Sequence, residues 1–429
     1  MIKNSFIRSV FILASGTALA QIINLAFIPI ITRQYGPEAY GMMGSFMSVV
    51  NILIPLSALS YPIAVVLPQQ RMMAATLVRL SLYLGVMVAA TSLIMFFFVR
   101  LLFPEVINTE KFPLWFWMLI PMMLLILPFQ QSGQQWLIRT RSYKQIAQIS
   151  VVQAGILNTL RVCGGLLVPL PITLVLITAV GYLLQALQLF LRSLRTGLVF
   201  NSRWFCARVI KLAASRYYDF PLYRTPQVLV NSLSQSLPIF IIAWYFGAAE
   251  AGFYTLAQTI LGAPVTLLSS AISNVYYPKV NEKVTSNEMI FPFVSKSTLL
   301  MLSASFLIYI IVIFCGPWLF SLIFGGKWHM AGEYGRWMAI YCVFWLGARP
   351  AIDSIPSLKI QHLFLVYELT SLILKCTALF AGVYFIRTSL GSMALFSIVN
   401  ALAYFSLIAM VLIIAKKLDL KKMEECNAN

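Results

Sequence analysis

The sequence is poor in charge, and acidic residues are its scarcest charged type. Of 429 residues only 10% are charged, against about 25% in a soluble domain, and 13 acidic residues stand against 31 basic ones. The two histidines, His329 and His362, are isolated, and the six cysteines share no short spacing. These absences argue against a metal centre, a disulfide framework and a soluble catalytic domain, so we expect neither a metal nor a cofactor.

Long apolar segments dominate what is present, because 60% of the residues are hydrophobic. A helix that crosses a bilayer needs about 20 mostly apolar residues, and twelve segments provide them. The first is too long, and too well embedded among the others, to be a cleaved signal peptide. We predict an all-α polytopic membrane protein with twelve transmembrane helices. The predicted spans are 10–31, 42–67, 80–103, 112–128, 146–169, 172–192, 221–246, 252–278, 294–324, 336–355, 363–385 and 389–415.

The basic residues between the spans lie mostly on one side of the membrane. Twenty-one of the 31 fall on the side of the N-terminus, and four lie within spans. Because basic loops stay in the cytoplasm, this asymmetry predicts that both termini are cytoplasmic and that the net charge of +18 reflects topology rather than nucleic-acid binding. The six on the opposite side are Arg33, Arg100, Lys111, Lys327, Arg336 and Arg387.

The two halves of the chain resemble each other. The turn from Gly36 to Gly41 follows the first span, and the turn from Gly247 to Gly252 follows the seventh, 211 positions later with the same spacing. An even number of spans in each half gives both the same orientation, related by an axis along the membrane normal. We predict two pseudo-symmetric six-helix lobes around a central cavity. The predicted divisions are an N-terminal lobe (1–192), a basic cytoplasmic linker (193–220), a C-terminal lobe (221–415) and a cytoplasmic tail (416–429).

A polar stripe on the seventh span is the strongest candidate for a binding surface. Its members lie within an arc of roughly 100° on a helix. Such a stripe cannot face lipid, because each unsatisfied polar group in hydrocarbon costs several kcal/mol. Polar side chains of this kind also join helices to each other, and that interpretation stays open for the isolated Ser and Thr side chains of the spans. The stripe consists of Arg224, Gln227, Asn231, Ser234, Gln235 and Pro238; Gln21 and Asn24 of the first span and Gln258 of the eighth are predicted to line the same cavity.

Other charged residues lie inside the spans. Arg161 in the fifth span and Lys375 in the eleventh are candidates for binding an anionic substrate, although long basic side chains can also reach the interface. Arg349 and Asp353, four residues apart, are expected to pair, with Glu368 as a third member. This cluster is either structural or couples transport to a proton or sodium ion, in which case Asp353 and Glu368 bind the ion.

Several motifs, in this order and spacing, resemble the Wzx-type polysaccharide flippases of the multidrug/oligosaccharidyl-lipid/polysaccharide (MOP) exporter superfamily. They are QYGPEAYG at 34–41, SRYYDFPLYRTP at 215–226 and PVTLLSSAISNVYYP at 264–278. The resemblance implies two helical bundles in a V and a bacterial inner-membrane protein that moves an undecaprenyl-diphosphate-linked oligosaccharide, such as an O-antigen unit, alongside polysaccharide assembly proteins. It also implies that Arg224 engages the diphosphate.

Two alternatives remain at this level. A drug/cation antiporter of the same superfamily carries cationic cargo, for which a stripe containing Arg224 has the wrong charge. A membrane-embedded polysaccharide polymerase needs an acid/base pair or an aqueous catalytic loop, and the basic linker holds one acid, Asp219. The sequence therefore favours a transporter over an enzyme.

Overall fold

A computed structural model describes residues 2–102, 113–198, 207–286, 288–358 and 360–428. Eleven helices in this part of the chain are long and apolar enough to cross a membrane, and the regular structure is helical throughout it, which confirms the predicted all-α fold. The helices are α1 (Ile2–Gln34), α2 (Pro37–Ser57), α3 (Tyr61–Ala64), α4 (Arg71–Leu102), α5 (Leu114–Arg139), α6 (Tyr143–Leu167), α7 (Pro171–Arg195), α8 (Ala207–Arg216), α9 (Thr225–Phe246), α10 (Ala248–Thr285), α11 (Phe291–Phe324), α12 (His329–Gly347), α13 (Arg349–Ser354), α14 (Gln361–Ala381) and α15 (Ser389–Ala428).

The chain forms two compact units, Met1–Gly252 and Phe253–Asn429. In the first unit α1 packs on α6, α5 packs on α4 and α7, and α2 packs on α9. In the second unit α11 packs on α12, and α15 packs on α12 and α14. Helix α9, the predicted seventh span, thus belongs by its contacts to the first compact unit. The predicted functional lobes, 1–192 and 221–415, stay a prediction.

Two predicted spans differ from the observed helices at a break. The second span was expected to run over 42–67, but α2 ends at Ser57, because Leu59 and Ser60 adopt left-handed φ angles of 47° and 56° that no α-helix accepts. The tenth was expected over 336–355, but α12 begins at His329 and a break follows Gly347. Pro350 explains that break, since proline supplies no N–H for the carbonyl four residues earlier and its ring crowds that carbonyl.

Arginine side chains hold the loop that follows the α2 break. The Arg139 guanidinium, at the end of α5, donates to the carbonyl oxygens of Val65 (3.3 Å) and Gln69 (3.1 Å) and also to that of Pro68. Arg71 donates from Nη2 to the Thr196 carbonyl oxygen at 2.6 Å. These residues counted toward the topology prediction, but the structure shows that their charge also satisfies backbone carbonyls.

Candidate functional site

The start of α9 positions the first residue of the predicted stripe. A single π-helical turn, Phe220–Arg224, precedes α9, and π-turns inside helices occur frequently at functional sites. The buried Thr225 hydroxyl lies 3.0 Å from the Ser60 hydroxyl and 3.2 Å from the Phe220 carbonyl oxygen. These contacts hold the π-helical turn against the break after α2. The Arg224 side chain points away from the protein interior and is exposed.

Four side chains of the stripe form two hydrogen-bonded pairs on one polar face of α9. Arg224 donates from Nη1 to Gln227 Oε1 at 2.9 Å, and Gln235 donates from Nε2 to Asn231 Oδ1 at 2.9 Å. All four of these side chains are exposed. The amide carbonyl of Gln227 fixes one edge of the guanidinium, which leaves the other donors of Arg224 for an anion.

The neighbouring face of α9 explains why the stripe points outward. Thr225, Ser236, Ile239 and Ala243 are buried and lie about 100° around the helix from the stripe. This buried face packs on α2. The packing of α9 therefore determines the direction of the polar face. Pro238, which the sequence analysis assigned to the stripe, is buried instead.

Arg161 occupies a separate place inside the first unit. Its Nη2 donates to Thr178 Oγ1 at 3.1 Å, and its backbone carbonyl accepts the Tyr35 hydroxyl at 3.1 Å. Tyr35, Tyr40 and Tyr182 are its electrostatic partners. A guanidinium surrounded by phenol groups lacks full charge compensation from them, because neutral hydroxyls supply only dipoles.

The two predicted amides of α1 differ in their surroundings. Asn24 Oδ1 accepts from Asn158 Nδ2 at 2.6 Å, and the same Nδ2 lies 2.8 Å from the Ala154 carbonyl oxygen. Asn158 is 1% exposed, so this pair joins α1 to α6, which is the helix-joining alternative. Gln21, one turn earlier, is half-buried.

The second unit contains the remaining predicted site residues. Lys375 on α14 is 8% exposed, and its Nζ lies 5.1 Å from the centroid of the Tyr404 ring on α15. Glu368 interacts electrostatically with both Lys375 and Tyr404. Arg349 is a further electrostatic partner of Tyr404. The structure therefore brings these ionisable groups together around a tyrosine that sequence reasoning missed, since no helical spacing relates α15 to α14.

The other two predicted residues of this unit lie elsewhere in it. Asp353 is half-buried and interacts electrostatically with Tyr276, whose hydroxyl lies 3.2 Å from that of Ser354. Gln258 is half-buried on α10. The roles of these residues stay predictions.

A cavity of about 630 Å³ opens at the far end of α9, within the first unit. Helix geometry places it about 30 Å along the axis from Arg224. Its wall includes the Glu38 carboxylate and the rings of Trp115, Trp244 and Tyr245. The sequence signal for this cavity is the clustering of aromatic residues near the predicted outer ends of spans, which membrane-interface belts also produce.

Comparison with known proteins identifies the family. The model of a family described as "Polysaccharide biosynthesis protein" matches residues 30–333, which is more than half of the chain. The chain belongs to the polysaccharide biosynthesis protein family. Among curated relatives of this family member is the succinoglycan biosynthesis transport protein ExoT of Rhizobium meliloti (strain 1021). The two are 23% identical over 332 residues, which are 71% of this chain and 59% of ExoT.

Solved structures show that this family member shares the fold of MOP transporters. The lipid II flippase MurJ, in an inward closed conformation, aligns with a TM-score of 0.64 and 12% identity, covering 96% of this chain and 91% of that one. An outward-facing multidrug resistance MATE family transporter of the MOP superfamily aligns with a TM-score of 0.61 and 13% identity, covering 96% of each chain. The fold that the resemblance to MOP exporters implies is confirmed, and the chain is a multi-pass membrane protein.

Proposed function

We propose that this protein moves an undecaprenyl-diphosphate-linked oligosaccharide from the cytoplasmic to the periplasmic leaflet of a bacterial inner membrane. The polar face of α9, which begins with the exposed Arg224, is the observation that carries this proposal. Membership in a polysaccharide biosynthesis family, and similarity to one protein described as a transporter and another described as a flippase, support the same cargo class.

The chemistry of the α9 face fits such a headgroup. A guanidinium grips phosphate oxygens in a bidentate fork and stays charged at every physiological pH. Gln227 already orients the Arg224 fork, and Asn231 and Gln235 offer amide groups to sugar hydroxyls. In this proposal Arg161 and Lys375 add positive charge, and Asn24, Gln21 and Gln258 add hydrogen bonds.

The proposed cycle is alternating access. The headgroup enters from the cytoplasmic side while the isoprenoid tail remains in lipid, and a rearrangement of the helices then exposes the headgroup to the periplasm. The protein supplies polar partners that replace water around the diphosphate and so lowers the barrier of the hydrocarbon core. No covalent bond changes in these steps, so the proposed activity is transport rather than catalysis.

Transport of a fluorescent undecaprenyl-diphosphate-linked oligosaccharide into the outer leaflet of proteoliposomes tests the proposal. We expect Arg224→Gln to abolish transport and Arg224→Lys to retain a small part of it, because lysine keeps the charge but loses the fork. Arg216→Gln is the matched control, since Arg216 is an exposed arginine eight residues away. We expect it to transport at the normal rate.

Two results would overturn the proposal. One is normal transport by Arg224→Gln, which would remove Arg224 from the site. The other is active transport of a cationic dye with no movement of the lipid-linked saccharide, which would establish the antiporter alternative.

A further inference from the structure

A second polar cavity lies on the first unit, in a groove between α6 and α7. It has a volume of about 270 Å³. Its polar wall consists of Gln148 on α6 and of Gln188, Arg192 and Arg195 on α7. The sequence places this end of both helices on the cytoplasmic side, at the level where the headgroups of a bilayer begin. The groove is remote in sequence from the α9 face, and the proposed cargo pathway does not use it.

The two arginines of this groove keep their guanidinium groups free for a ligand. Arg139 and Arg71 donate to carbonyl oxygens of neighbouring loops, as described above. By contrast, neither Arg192 nor Arg195 forms a side-chain hydrogen bond or an ion pair with any residue that the structure describes. Two exposed guanidinium groups one turn apart, without a carboxylate partner, form a site for an anion.

Apolar side chains continue the groove away from its basic end. Val152 is 51% exposed and Leu191 is 48% exposed at the groove, and both line it. Ile156 follows Val152 one turn along α6, and Leu187 precedes Leu191 one turn along α7; both are exposed. The groove therefore offers a basic polar mouth and an aliphatic wall, in the order in which a membrane lipid presents its phosphate and its acyl chain.

We propose that the α6–α7 groove binds an anionic phospholipid, with its phosphate between Arg192 and Arg195 and one acyl chain along the aliphatic wall. Basic pockets between helices at the cytoplasmic surface are suited to anionic lipid headgroups. Charge complementarity selects this occupant, because a zwitterionic lipid carries a cationic group that two unpaired guanidinium groups repel. Gln148 and Gln188 donate from their side-chain amides to the remaining phosphate or glycerol oxygens.

Native mass spectrometry of the purified full-length protein, titrated with phosphatidylglycerol and with phosphatidylcholine, tests this assignment. We expect one phosphatidylglycerol to bind with a clear preference over phosphatidylcholine. A basic residue near an anionic lipid contributes roughly fivefold in affinity, so Arg192→Gln with Arg195→Gln should weaken phosphatidylglycerol binding about 30-fold. Arg192→Lys with Arg195→Lys should retain most of the binding.

Arg141→Gln with Lys144→Gln is the matched control. It removes the same charge from exposed residues near the start of α6 that do not line the groove. Binding within about threefold of the unsubstituted protein is the expected result, and an equal loss in both double variants would overturn the site in favour of general electrostatic attraction.

Competition with undecaprenyl diphosphate distinguishes the two sources of a lipid phosphate. We expect an excess of undecaprenyl diphosphate to leave phosphatidylglycerol bound in the Arg224→Gln protein. Displacement of phosphatidylglycerol in this variant would overturn the phospholipid assignment and show that the groove binds the cargo lipid. Because this measurement detects lipid binding rather than transport, its outcome is separate from that of the proposed function.

Discussion

Gly41 and Gly252 pack directly against each other, backbone to backbone. A Cβ atom placed on Gly41 would lie 2.8 Å from the Gly252 amide nitrogen, and one placed on Gly252 would lie 3.0 Å from the Gly41 amide nitrogen. Each would also overlap a carbonyl oxygen in the first turn of the opposite helix, that of Ala248 on α10 for Gly41 and that of Pro37 on α2 for Gly252. The contact is therefore reciprocal, and only glycine fits at either position.

Replacing either glycine should destabilise the protein. Gly41→Ala or Gly252→Ala inserts a methyl group where backbone atoms already touch, and overpacking of this kind costs about 1–3 kcal/mol. Thermal unfolding in detergent measures the loss. Gly155→Ala on α6 is the control, because its Cβ would meet nothing within 4 Å and alanine favours helix. Equal stability of Gly252→Ala and Gly155→Ala would show that the contact does not determine how closely α2 and the start of α10 approach.

The sequence pattern matched these two segments as repeats of each other but did not predict that they touch. The offset of 211 residues that relates Gly41 to Gly252 also relates Pro37 to Ala248, so the contacting atoms are the repeated ones. Hydrophobic length likewise located the spans. It could not locate the break at Ser60, because a left-handed turn in an apolar segment leaves hydropathy unchanged. Hydropathy also does not register the break at Ala348.

Helical periodicity predicted the α9 face but not the other parts of the candidate site. Residues on one helix share a face by geometry alone, so Arg224, Gln227 and Gln235 could be grouped from sequence. The electrostatic partners of Arg161 are tyrosines on other helices, and the ring that Lys375 approaches, Tyr404, also lies on another helix. Aromatic residues are common in every span, so nothing in the spacing distinguished these rings from ordinary packing.

Cysteine labelling from the two sides of the membrane tests the predicted topology. Lys327, Arg387 and Lys211 are exposed, so a cysteine at each can react without unfolding. In a cysteine-free background, a membrane-impermeant maleimide added outside intact cells should label Lys327→Cys and Arg387→Cys. It should label Lys211→Cys only after the membrane is opened. The opposite pattern would invert the topology and place Arg224 at the outer end of α9.

Asp419 should stabilise the second unit by accepting hydrogen bonds from backbone N–H groups at the start of α11. Its carboxylate, on α15, accepts from the backbone N–H of Ile290 at 2.9 Å and from that of Phe291 at 2.7 Å. These N–H groups lie at the start of α11, where a helix has no internal partners for them. Asp419→Ala removes the acceptor from both N–H groups, of which that of Ile290 is buried and that of Phe291 half-buried.

We expect that substitution to cost about 1–3 kcal/mol. Hydrogen exchange at the Ile290 and Phe291 amides, together with thermal unfolding, measures the effect. Glu282→Ala removes an exposed carboxylate of the same unit and should leave both unchanged. Unaltered exchange in Asp419→Ala would show that the Asp419 carboxylate does not stabilise the start of α11.

Asp353 and Glu368 are the carboxylates that should couple transport to an ion gradient. Each is half-buried within the second unit, where Glu368 interacts with Lys375 and Tyr404 and Asp353 interacts with Tyr276. Binding or loss of a cation at either carboxylate therefore changes the balance of charge around a tyrosine of this unit. We expect Asp353→Asn and Glu368→Gln to reduce transport driven by an imposed proton or sodium gradient to the rate without a gradient. Glu333→Gln is the control, since Glu333 pairs with Arg336 at 3.4 Å on the predicted outer side. Persistence of the gradient response in both variants would leave these carboxylates with a structural role, which stabilises the positive charges of Arg349 and Lys375 within the bundle.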